Sequence, residues 1–168
     1  VSGTIAGMLM IDGYSIGMAV TITLCFGAVV GFVNGIIVTK LGVNPLVATL
    51  GTLSIVRGAG LVLTEGFSVT GLPKSFSIIG SESWGGIPLV VLVTLVIVII
   101  GDLALRHTRY FRQSYYIGTN ESAARLSGIA VHRVRISAYI ITSILAALAG
   151  ILLASRLMAG TPTAGSGL

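Results

Sequence analysis

Residues 16–39 read IGMAVTITLCFGAVVGFVNGIIVT, twenty-four residues without a single charge. As an α-helix at about 1.5 Å per residue this stretch would be about 36 Å long, enough to cross a hydrocarbon layer of about 30 Å with some tilt. Its Val, Ile and Thr would favour strands in water. In hydrocarbon an isolated strand leaves its backbone N–H and C=O groups unpaired, so the helix is the form the sequence dictates.

The rest of the chain repeats the pattern. Of 168 residues 54% are hydrophobic and 9% charged, against about 25% charged in an average soluble domain. A soluble domain of this size buries only about 70% of its surface and would need charge outside, so lipid is its solvent. Three further apolar segments follow, each meeting or approaching the spanning length of about 20 residues. One runs from Pro45 to about Thr64, with Asn44 as N-cap and Pro45 at N1, where a missing N–H is harmless. A third opens with Pro88 in the same N1 role and runs to about Gly101, and a fourth covers about Ile136 to Ser155. The fold class expected is all-α: a polytopic transmembrane bundle of four spanning helices, residues 1–168 forming one membrane domain. Val1 to Met10 has no basic region or cleavage pattern of a signal peptide and reads as the tail of a preceding helix. The Gly, Pro and Thr of residues 161–168 read as a loop, so the sequence is expected to be part of a longer membrane protein.

Charge placement gives the sidedness. Six of the ten basic residues lie between Arg106 and Arg135, while the link at 65–86 carries Lys74 against Glu65 and Glu82. An excess confined to one loop is a topology signal rather than a basic face for nucleic acid, which is excluded as a partner. Residues 102–135 and the turn at Lys40 are therefore assigned to the cytoplasm and 65–86 to the outside, which alternates across three helices. Trp84 then falls at the outer interface.

Small residues mark where helices meet. Gly27, Gly31 and Gly35 recur every four residues, a stripe that admits another backbone. On the second segment Gly51, Ser54 and Gly58 share one face and Thr49 and Thr52 the opposite one, so the glycine face is expected to pack and the hydroxyl face to stay open. The fourth carries a seam at Ser143, Ala147, Gly150 and Ala154. The third, apolar all round, is expected to face lipid.

Few residues offer chemistry. The sequence has no P-loop, its lone Cys25 lies in an apolar run, and His107 and His132 have no partners at ligand spacing, so no metal site and no catalytic set are expected. Arg57, twelve residues beyond Pro45, sits about 18 Å along its helix. Two readings stand for it: snorkelling to the outer interface, or facing a polar cavity. Asn34, Thr49 and Thr52 are the other candidates for a solute pathway. In Asn120-Glu-Ser-Ala-Ala-Arg-Leu-Ser-Gly128, Asn120 can cap, Glu121 opposes the positive helix end and Gly128 can close the helix in αL. A two-turn helix over 120–128 is expected, presenting Ala123 and Ala124 beside Leu126 either to the membrane surface or to a cytoplasmic partner.

Pro45-Leu-Val-Ala-Thr-Leu-Gly-Thr-Leu-Ser-Ile-Val-Arg-Gly58, Ile117-Gly-Thr-Asn-Glu-Ser-Ala-Ala-Arg-Leu-Ser-Gly-Ile-Ala-Val131, Ala149-Gly-Ile-Leu-Leu153 and Pro162-Thr-Ala-Gly-Ser-Gly167 resemble, in order and spacing, the ribose-type sugar permeases of bacterial ABC importers. The resemblance implies an inner-membrane permease subunit moving a monosaccharide or related polar solute. It implies as partners two cytoplasmic ATPases that bind ATP and Mg, a second permease subunit (a homo- or heterodimer), and a periplasmic or lipid-tethered solute-binding protein. No cofactor is implied on this chain. Asn120, Glu121, Ala123, Ala124, Leu126 and Gly128 would form the helix that seats in the ATPase. The sequence departs from the family pattern at Phe111, Tyr116 and Thr119. A channel or interaction subunit without ATP coupling, an inactive shortened permease, and a membrane enzyme with its polar groups elsewhere remain alternative classes.

Overall fold

The computed structural model describes residues 1–84 and 86–162, without the side chains of Lys74, Ile79, Ser81, Ser83 and Trp84. The expected interfacial place of the Trp84 ring, and the motif beyond Pro162, lie outside the described residues. The elements run α1 (Ser2–Ile11), α2 (Ile16–Thr39), α3 (Pro45–Leu63), α4 (Lys74–Ser81), β1 (Ser83–Trp84), β2 (Ile87–Pro88), α5 (Leu89–His107), α6 (Arg109–Thr119), α7 (Glu121–Leu126) and α8 (Val131–Leu157). The fold is all-α apart from a two-residue antiparallel ribbon pairing Ser83 with Pro88 and Trp84 with Ile87. Among the described residues α2, α3, α5 and α8 are long and apolar enough to cross a membrane.

The bundle is organised by α2 against α8. A Cβ placed on Gly27 would stand 2.8 Å from Ala147 Cβ, one on Gly31 2.6 Å from the Tyr139 carbonyl oxygen, and one on Gly35 3.1 Å from Ile136 Cα. The partner numbers fall as the glycine numbers rise, so the two helices run antiparallel with backbones in near contact. Gly150 and Ala154, further along the α8 seam, receive α1 instead: a Cβ on Gly3 would lie 2.7 Å from both the Gly150 oxygen and Ala154 Cβ. One stripe thus serves two helices. Where α1, α2 and α8 converge, Ala6, Met10, Ala19, Ile151 and Ala154 bury with Leu72 and Phe76.

Phe76 belongs to α4, a helix inside the link at 65–86 that no signal in the sequence announced. Ser155 donates its hydroxyl to the Phe76 carbonyl at 2.6 Å. Gly80 comes so close to α8 that a Cβ would sit 2.5 Å from the Arg156 nitrogen. Val69 and Gly160 exchange backbone hydrogen bonds of 3.0 and 2.9 Å beside it.

Several expected boundaries move. Asn44 caps α3 as expected, its Oδ1 accepting from Leu46 N at 2.9 Å. Pro88, however, is the N-cap of α5 and not its first residue, because it is extended (ψ 136°) and paired in the ribbon. Nor does α5 stop at Gly101: Asp102 and Arg106 lie one turn apart and form an ion pair at 2.9 Å that carries the helix to His107. Residues 102–135 are accordingly mostly helix, comprising the end of α5, then α6 and α7, then the start of α8.

The faces of α3 are also reversed within this chain. Ala48 and Gly60 are its buried residues, on the side of Thr52, whereas Gly51 and Gly58 have nothing within 4 Å of where a Cβ would be. Thr52 turns inward because its hydroxyl has a partner on α2, and a satisfied hydroxyl in lipid holds a helix face better than an open glycine does.

Candidate functional site

A cavity of about 320 Å³ opens between α2, α3 and α8, with Val1 and Ser2 also in its lining. Asn34, Thr49, Thr52 and Arg57, the four polar residues singled out in the apolar segments, all line it. Asn34 is 8% exposed and accepts at Oδ1 from the Thr52 hydroxyl, 2.6 Å away. That bond uses the carbonyl side of the amide and leaves its two N–H donors for another partner. The Thr49 hydroxyl donates to the Pro45 carbonyl at 2.8 Å, keeping lone pairs on its oxygen. Of the two readings of Arg57, the geometry places its side chain on the cavity, and among the described residues no carboxylate forms an ion pair with it.

The walls around these groups are Phe26, Gly27, Val30 and Val56, with Ser143, Ala146 and Ala147 from α8. The floor on α8 was legible only as a small-residue seam; that Ser143 would face Asn34 and Thr52 had no signal in the sequence. The lining offers one guanidinium, one carboxamide and four hydroxyls beside apolar surface, with no acid among the described residues. Such a set can donate hydrogen bonds to the hydroxyls of a polar solute.

The second site is α7. Asn120 caps it as expected, its Oδ1 accepting from Ala123 N at 3.0 Å. Gly128 takes φ +80°, the left-handed turn that lets Ile129 N reach the Ala124 carbonyl at 3.1 Å. The helix proper is six residues long, shorter than the two turns expected. Its surface also differs. Ala124 is 4% exposed, packed with Ile117 of α6 and Val131 and Val134 of α8, so it cannot belong to an exposed small-residue face. Ala123 stays exposed and Leu126 stands 90% exposed. Beside Ala123 a groove of about 280 Å³ runs along Tyr116, Thr119 and Ser127.

Glu121 does more than oppose the helix end. Its Oε1 accepts from Arg125 Nη2 at 2.7 Å and its Oε2 from Arg135 Nη2 at 2.5 Å. Hydrogen bonds from Arg125 and then Arg135 hold its carboxyl below the usual carboxylate range. Arg125 lies on the same short helix, but Arg135 lies on α8. On the neighbouring α6 the Tyr110 hydroxyl is 3.2 Å from the Arg133 carbonyl and 3.1 Å from Ser137 Oγ. No spacing rule links residues 121 and 135, so this contact was not foreseeable.

The pattern of the family described as "Branched-chain amino acid transport system / permease component" matches residues 1–168, the whole chain. The L-arabinose transport system permease protein AraH of Escherichia coli is 39% identical over 130 residues, covering 77% of this chain and 40% of that protein. The autoinducer 2 import system permease protein LsrC of an Enterobacter strain is 38% identical over 162 residues, 96% of this chain and 47% of its own. The ribose import permease protein RbsC of Bacillus subtilis is 39% identical over 166 residues, 98% and 51%. No solved structure matches. The chain spans about half the length of the curated relatives it matches.

Proposed function

This multi-pass membrane chain belongs to the branched-chain amino acid transport system permease family, and from that premise we propose that it forms part of the permease subunit of a bacterial ATP-binding-cassette importer. The cargo is a monosaccharide or a similar neutral polyol, moved across the inner membrane while a separate chain hydrolyses ATP with Mg. A second permease subunit completes the pathway, and a periplasmic or lipid-tethered binding protein delivers the solute. α7 seats in the ATPase on the cytoplasmic side and the α4 link faces outward.

The observation that carries this reading is that α8 belongs to both sites. It walls the cavity through Ser143, Ala146 and Ala147, and its first turn buries Ala124 of α7 against Val131 and Val134. A push on α7 therefore acts on a helix that lines the solute site. The cargo class follows from the lining. The amide, hydroxyl and guanidinium donors of the described lining suit sugar hydroxyls. Relatives whose names say arabinose, ribose and autoinducer 2 agree with that chemistry.

The test is uptake of labelled D-ribose and L-arabinose by vesicles holding the full-length protein with its ATPase. Uptake is expected to require ATP, to fall about tenfold in Asn34→Leu, and to be lost in Leu126→Asp together with co-purification of the ATPase. ATP-independent equilibration with no ATPase retained would replace the importer by a channel.

A further inference from the structure

α7 is too short to hold a direction by itself, since even isolated helices of about 12 residues are marginal in water. Its orientation comes from three attachments: the buried Ala124 as a pivot, the tight turn at Gly128, and the carboxylate of Glu121 reaching Arg135. The first two lie at the middle and the C-terminal end. The third ties the N-terminal end, which Asn120 already joins to α6 through its N–H on the Tyr116 carbonyl, to α8, and among the described ion pairs it is the one that joins two helices; Arg106–Asp102 and Arg125–Glu121 each close within one. Without this link to α8, a load on exposed Leu126 would tilt α7 about Ala124 against α6 alone. With it, the load passes to α8.

We infer that Glu121 and Arg135 form a brace that makes α7 and the first turns of α8 one rigid unit, and that this brace, rather than contact with the ATPase, is the role of the Glu121 carboxylate in transmission. The inference deepens the importer reading and depends on it. Arg125 approaches the same carboxylate from within α7, on its other oxygen, without bridging to α8. It serves as an internal control: neutralising either arginine removes the same charge, but only one removal cuts the link between helices. Arg135 is a positioning residue and touches no solute.

The experiment uses the full-length transporter with its ATPase in proteoliposomes, in a Cys25→Ser background with Thr49→Cys as a reporter in the cavity. Maleimide labelling of that cysteine is compared with and without a non-hydrolysable ATP analogue, which reads transmission without naming the cargo. In the parent the labelling rate is expected to change by about tenfold between the two conditions, the size of coupling that network residues carry. In Arg135→Gln and Glu121→Gln the change should collapse to within about twofold. Arg135→Lys should restore it, and Arg125→Gln should leave it as in the parent; ATPase should co-purify with Arg135→Gln. A full nucleotide response in Arg135→Gln overturns the brace and leaves the importer reading standing. An equal loss in Arg125→Gln and Arg135→Gln also overturns it, since charge alone would then matter. A parent that retains ATPase but shows no nucleotide response overturns the brace by removing the motion it transmits. A parent that binds no ATPase overturns the importer reading itself.

Discussion

Helix α2 buries seven of its residues, Gly27, Gly31 and Gly35 among them, whereas α5 buries none. Yet the best window of α5 is the more apolar of the two, with a mean hydropathy of 2.6 against 2.3. In water the greasier helix would be the buried one. In lipid apolar surface gains nothing by leaving the solvent, so hydropathy decides which helices enter the bilayer and smallness decides which of them meet. The stripe on α2 meets α8 backbone to backbone. α5, packed with branched side chains, touches the rest of the bundle chiefly through α4, α6 and the ribbon.

The contrast can be broken by exchanging the steric character of the two helices. Gly31→Leu should have the largest effect, since even a Cβ there would stand 2.6 Å from the Tyr139 oxygen and 2.8 Å from Ile140 Cα, and backbone does not step aside. A loss of about 3 kcal/mol is expected from overpacking, read by reversible unfolding in mixed micelles; unchanged stability would mean that α2 and α8 do not touch. Thr52→Val sharpens the polar part of the same interface. It removes the hydrogen bond to Asn34 while keeping shape, and should cost about 0.6 kcal/mol, the average for such bonds between membrane helices. The smallest effect belongs to α5: Gly101→Ala meets nothing within 4 Å and should change stability by less than about 0.5 kcal/mol, in the stabilising direction if at all. A large loss there would show that α5 has a close neighbour after all.

Much of this was legible in the sequence because membrane helices are written in length, charge and caps. Asn44 and Pro45 set the start of α3, and the four-residue glycine spacing announced a close helix partner for α2. Partner identity was not written there, since a small-residue stripe accepts any backbone: the α8 seam turned out to be shared between α2 and α1. The cavity residues stood out as polar groups in apolar helices. Their convergence did not, because it depends on which way α3 turns, and the open glycines at Gly51 and Gly58 pointed the wrong way. Ala124 was misplaced for a different reason. A six-residue helix is too short for periodicity to define a buried side. α4 was missed altogether, because the residue that holds it, Ser155, lies 79 positions from Phe76.

Helix α8 has 27 residues and is about 40 Å long, against a hydrocarbon layer of about 30 Å. A helix that much longer than the layer extends past it, and the basic residues of its opening turns, His132, Arg133 and Arg135, are the ones suited to the level of the lipid phosphates. There the guanidinium that holds Glu121 has rivals: every anionic headgroup nearby offers it the same oxygens. The glycine seam deep in the bilayer is blind to that competition. Lipid charge would thus bear directly on the joint between α7 and α8.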